Sequence, residues 1–171
     1  MRRLTIMAVS AALALGVFAA PAMAQSDAAA GAKPGQASIV DIVVSNPGGN
    51  FDVLREAVVR AGLVDLLSGG RQLTVFAPTD AAFENTFGAP EAAIIGLIQG
   101  GALDGALGDI LGYHVTNGRR IGTSVLAAPS YKMLNGDTLT KGELVAAGVV
   151  AANISASNGV IHVLTTGVLL P

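Results

Sequence analysis

Cysteine and tryptophan are both absent from the 171 residues. Without a thiol the chain can form no disulfide, thiolate metal site or thioether-linked lipid, so burial of apolar surface must hold any fold together. Histidine is nearly absent too, with His114 and His162 standing alone. No His-x-x-x-His or His-Glu pair falls on one helix, so no metal site is expected. There is no Gly-x-Ser-x-Gly, and no Gly-Lys-Ser/Thr follows any glycine cluster, which removes the usual acyl-transfer nucleophile and the phosphate loop. Charged residues make up 13% and the formal net charge is −2. Lysine and arginine are scattered, Arg119-Arg120 being the only adjacent pair beyond Arg2-Arg3, so no nucleic-acid surface is expected.

What is present is apolar: 51% of residues are hydrophobic and the mean hydropathy is +0.59. Part of that comes from the start of the chain. Arg2 and Arg3 precede an apolar run from Leu4 to Ala20, and Ala22-Met23-Ala24 offers a small-x-small cleavage site. Ser10, Gly16 and Pro21 interrupt the run, which is short for the roughly 20 apolar residues of a membrane span. A signal peptide over residues 1–24 is therefore expected, with export to a periplasm or the cell exterior and no stable membrane span once it is removed. Residues 25–36, rich in Ser, Ala, Gly, Lys and Pro, have no periodic apolar face and suit a flexible spacer. Residues 37–171 are long enough for one domain with its own core.

Ile39, Ile42 and Val43 recur at helical spacing, and Asn46-Pro47-Gly48-Gly49 stops that element. Asn50 is placed to cap a second helix carrying Phe51, Leu54, Val58 and Ala61 on one face, with Gly62 at its left-handed end. Leu63 to Leu67 adds a turn of helix and Leu73 to Ala77 a strand, ended by Pro78. Thr79 or Asp80 then caps a short helix, a reading that competes with a polar functional site. Ala89 to Gly112 is helical in pattern but dense in glycine, which suggests close helix packing. After Val115 the chain reads as strands. Tyr131–Leu134 and Thr138–Thr140 flank Asn135-Gly136-Asp137, a type I′ hairpin signal, and Val149–Ile154 pairs with Val160–Val163. Helices first and strands later argue for an α+β fold.

His114, beside Tyr113, leads the few chemical candidates. It fits either a titratable binding or acid–base group, or a buried histidine donating to a carbonyl or carboxylate such as Asp80. His162 alternates with strand residues and suits packing. Asn153-Ile154-Ser155 matches the short glycosylation acceptor pattern. The acidic pairs Asp104/Asp109 and Asp137/Glu143 match no calcium-loop or glycosidase spacing and are expected to be solvated.

Three blocks add a family resemblance. Thr74-Val-Phe-Ala-Pro-Thr-Asp-Ala-Ala-Phe83, Leu111-Gly-Tyr-His-Val115 and Asn158 to Pro171 occur in the order seen in fasciclin domains, and the chain resembles that family over residues 37–171. The resemblance implies a β-wedge of about seven strands with N-terminal and inserted helices packed on one side. It implies no catalytic activity and no cofactor, and Tyr113 and His114 as binding residues of an adhesion module. The partner would be a cell-surface or matrix protein or a polysaccharide. An alternative is a carrier holding a lipophilic molecule, a carotenoid or lipid, in an apolar crevice; a second is an uncharacterised enzyme.

Overall fold

A computed structural model describes residues 36–46 and 48–171. The expected signal peptide, residues 1–24, and all but the last residue of the expected spacer, residues 25–36, lie outside them.

Leu73–Pro78 forms β1 and is buried at every position. Its neighbours come from much later in the chain: β2 (Val115–Asn117) is antiparallel to it, and β6 (Gly159–Leu164) is parallel. β5 (Val149–Ala156) completes the sheet in the order β2-β1-β6-β5. β6, a Val/Ile/Leu-rich run, thus lies inside the sheet between β1 and β5. Across β1 the side chains alternate between two cores: Leu73, Val75 and Ala77 enter one, Phe76 the other. With both faces covered the strand is buried throughout, and its one polar side chain, Thr74, donates to Gly118 O and accepts from Arg120 N–H.

The larger core is roofed by α1 (Ile39–Ser45), α2 (Asp52–Arg60), α3 (Val64–Ser68), α4 (Asp80–Phe87), α5 (Glu91–Gln99) and α6 (Asp104–Gly112). The smaller core lies on the other side, where Phe76 meets Tyr131 and Leu139 of a hairpin, β3 (Ser130–Lys132) and β4 (Thr138–Thr140). Two short helices also enter it, α7 (Gly122–Ala127) through Val125 and α8 (Lys141–Ala146) through Leu144. The class is α+β. The expectations of uninterrupted strands after Val115 and of helices on one side only are corrected by α7 and α8. Six strands are assigned among the described residues, in a four-stranded and a two-stranded sheet linked by the Thr116–Met133 bridge.

Several local expectations change for physical reasons. The α2 N-cap is Phe51, not Asn50, and it supplies no side-chain bond. Instead the Asp80 carboxylate reaches across from α4 and accepts the amides of Asp52 (3.2 Å) and Val53 (2.9 Å). Thr79 caps α4 by accepting from Ala82 N–H, so the capping reading describes this residue. The hairpin turn is not type I′, because Asn135 lacks the positive φ that turn needs. Met133 N–H donates to Asp137 O, and the Asn135 side chain accepts from Asp137 N–H, giving a longer Asx-type turn. The glycines of α5 and α6 are not packing contacts either: a Cβ at Gly96, Gly105 or Gly108 would meet open space. Gly112 is the exception, with the Asn135 backbone N only 3.2 Å from where its Cβ would be.

Asn158 ties the layers together. Buried in the turn between β5 and β6, it accepts from Ile39 N–H (2.9 Å) and donates to Leu67 O (2.6 Å) and Gly69 O (2.9 Å). One side chain thereby fixes the start of α1 and the end of α3 to the sheet. Among the described residues no single helix is long and apolar enough to cross a membrane; α5 and α6 are apolar together, but the chain bends by 114° between them.

Candidate functional site

The end of α6 leaves carbonyls without helical partners, and the chain must turn there to enter β2. His114 resolves this. Its Nδ1–H donates to Ile110 O at 2.7 Å, and its Nε2 accepts from Leu169 N–H at 3.1 Å. An amide can only donate, so Nε2 carries the lone pair and the proton sits on Nδ1. The ring is 2% exposed, and burial pushes its pKa down to about 4, against a smaller opposing effect of the Ile110 bond. At neutral pH it is an uncharged clamp between α6 and the last residues of the chain. Asp80, considered as its partner, is engaged with α2 instead.

Tyr113 is also buried, at 4% exposure, with its hydroxyl donating over 3.4 Å to Thr138 O. Desolvation raises its pKa above the ordinary phenol value, and the negative charges of Glu143 and Asp137 add to the effect. Its edge faces a surface cleft of about 290 Å³. Glu143, Ala146 and Ala147 form one side of this cleft and Val168, Leu169 and Leu170 the other. The tail wall is held in place. Leu169 N–H is fixed by His114, Val168 N–H donates to Thr86 Oγ1 (2.8 Å), and Thr166 N–H donates to Ala147 O (3.2 Å). Leu170, 51% exposed, stands at the mouth.

The Glu143 carboxylate caps α8 through Oε2, which accepts from Thr140 N–H (2.8 Å) and from its hydroxyl (2.7 Å). These bonds, the backbone one first, hold its pKa below the usual glutamate value. Sequence reasoning passed over Glu143 as a solvated acid, although Thr140-x-x-Glu143 is a capping-box signature. It also passed over the tail wall, for which no local signal exists.

Several other titratable groups are engaged within the fold. His162 is fully buried and stacked on Phe76 (5.9 Å between centroids), with Nε2–H donating to Arg120 O at 2.8 Å. Burial lowers its pKa. Asp104, expected to be solvated, pairs with Arg60 at 2.6 Å. Asp52, Asp80 and Glu91 place carboxylate oxygens within 4.8 Å of one another, the one group among the described residues with metal-ligand proximity. Asp80 already accepts two amides and Asp52 binds Arg55 at 3.0 Å, so these acids act at the N-termini of α2, α4 and α5. Asn153 of the glycosylation pattern sits at φ +48° in an irregularity of β5 and accepts from Gly122 N–H. Between the helices and the sheet, the apolar crevice bounded by Val43, Leu54, Val58, Phe76 and Leu111 encloses about 10 Å³.

Known proteins resemble this chain along most of its length. A protein of Synechocystis sp. named only as uncharacterized protein sll1735 is 35% identical over 138 residues, which covers 78% of this chain and 98% of that protein. Protein sll1483 of the same organism is 35% identical over 140 residues, covering 78% of this chain and 74% of its own length. Transforming growth factor-beta-induced protein ig-h3 of Sus scrofa is 31% identical over 139 residues, only 19% of that longer protein. The fasciclin domain pattern matches residues 49–171, a span running from just before the α2 cap through the tail wall, and the chain belongs to the fasciclin family.

Proposed function

We propose that this protein is an exported, non-catalytic interaction module that binds a cell-surface or matrix protein at the cleft beside Tyr113. The two sheets joined at the Thr116–Met133 bridge serve as the wedge of the family. The observation that carries this reading is the cleft itself: about 290 Å³, walled by Tyr113 and the tail, with Leu170 half exposed at its mouth. Its walls are fixed by hydrogen bonds, so little ordering entropy is lost when a partner docks. Tyr113 contributes a wall, and His114 acts behind it by holding Leu169. This divides the pair expected to bind into a contact residue and a positioning residue.

The carrier alternative has less support, since 10 Å³ is about the space of one water-sized sphere. Loading a carotenoid there would require α1 to α3 to lift from the sheet. Among the described residues the catalytic reading has less support: both histidines are buried, His114 bonded through both ring nitrogens and His162 through Nε2 to Arg120 O, and Asp80 of the Asp52–Asp80–Glu91 cluster accepts two α2 amides.

The test compares capture of envelope and matrix proteins by the wild-type protein and by Leu170→Asp. The variant should melt like wild type, because its side chain is half in water, and should lose the captured partner. Equal capture by both would refute the cleft as the binding surface. Intact mass of the exported protein tests the processing that this reading requires, with a chain beginning at Gln25 expected and retention of residues 1–24 contradicting it.

A further inference from the structure

We infer that the cleft, if it is the binding surface proposed above, takes an extended protein segment that places an aliphatic side chain beside a lysine or arginine. The walls dictate the first half. Ala146, Ala147, Val168, Leu169 and Leu170 present methyl and methylene groups, so the occupant must bring apolar surface. The polar end dictates the second half. Among the described residues Glu143 is the only charged one lining the cleft. Its Oε2 accepts from Thr140, and the Tyr113 hydroxyl, whose one proton is shared between Thr138 O at 3.4 Å and the neighbouring Glu143 carboxylate, has no further hydrogen to give an occupant. Both groups at this end therefore offer lone pairs, and a cationic donor satisfies both.

Lysine and arginine fit this division, since their stems lie along apolar walls while the charged head stays at the rim. The volume agrees. About 290 Å³ is just below the usual range of small-molecule sites, and suits two side chains of a strand better than a large ligand. A sugar chain is disfavoured because the Tyr113 ring is 4% exposed and offers no stacking platform. An anionic lipid surface would meet Glu143 as a like charge.

Glu143→Gln isolates the charge. Glutamine preserves the capping box, which accepts Glu or Gln at this position, so α8 remains capped. The probes are three capped pentapeptides of sequence Ala-Leu-X-Leu-Ala, with X as lysine, norleucine or glutamate, titrated into the isotopically labelled full-length protein and followed by amide chemical shifts. The lysine peptide should shift Ala147, Gly167, Leu169 and Leu170, and should bind Glu143→Gln about two- to fivefold more weakly than wild type. The norleucine peptide should not distinguish the two proteins, and the glutamate peptide should bind wild type most weakly. Equal binding of the lysine and norleucine peptides to wild type, shifts confined to other surfaces, or no shifts at all would each overturn the inference. If Leu170-dependent capture persists in any of those cases, the charge-pairing idea fails while the interaction reading stands. If capture is independent of Leu170, the cleft is lost for both.

Discussion

Replacing His114 with alanine tests the clamp at the centre of this account. The substitution leaves Ile110 O and Leu169 N–H buried without their partners, and each such group costs about 1–3 kcal/mol. With some local relaxation, a loss of about 3 kcal/mol is expected at pH 7, on the order of a 10 °C fall in Tm for a domain of this size. The pH dependence is the sharper readout. In the folded protein the pKa is about 4, below the ordinary imidazole value of 6.5, so folding favours the neutral ring. Its contribution is fully present above the unfolded pKa and is lost as pH falls through 6.5 towards 4. A difference of 2.5 pKa units corresponds to about 3 kcal/mol. Urea unfolding of both proteins from pH 7 to pH 4 should therefore show the stability gap closing by about that amount. His162, with its pKa shifted in the same direction, is present in both proteins and cancels in the difference. A gap that stays constant across this range would refute the buried neutral clamp, whatever the loss at pH 7.

Other substitutions probe the frame. Gly159→Ala would drive a Cβ into Leu73 O and to 2.8 Å from Ile39 Cδ1, separating β1 from β6, so it should give no cooperative unfolding transition; soluble protein with a near-wild-type Tm would contradict the packing. Gly105→Ala and Gly108→Ala meet nothing within 4 Å, and each should raise stability by about 0.5–1 kcal/mol through helix propensity, as measured by urea unfolding. Asn158→Ala removes three bonds to Ile39, Leu67 and Gly69 and should cost about 2–4 kcal/mol, with amide exchange rising first in α1 and α3.

The parts of the fold written in neighbouring residues were legible. Thr79 after Pro78 announces a helix cap, Gly62 takes the left-handed end that its position suggests at φ +66°, and the Val/Ile/Leu run after Asn158 pairs as a strand. Features set by distant partners were not. Asp80 caps α2 from 28 residues away, and no local pattern carries that bond. The Asn135-Gly136 signal is local, but Met133 is drawn away to Thr116, which lengthens the loop. α8 carried a readable capping box, outweighed by the strand-forming residues around it, whereas α7 is held by distant partners, with Asn153 accepting from Gly122 N–H and the Tyr131 hydroxyl donating to Ser124 O and Val125 O. At the candidate site the sequence placed Tyr113 and His114 side by side. Their separate roles depend on Leu169, 55 residues later, whose amide turns the imidazole inward.

The most direct test of the interaction reading is amide hydrogen exchange of the protein alone and bound to the partner captured from envelope or matrix extracts. Protection should appear in residues 143–147 and 167–170, the two walls of the cleft, together with Tyr113. Protection confined to the exposed faces of α5 and α6 or to the β5 edge, with the cleft walls exchanging as in the free protein, would contradict it.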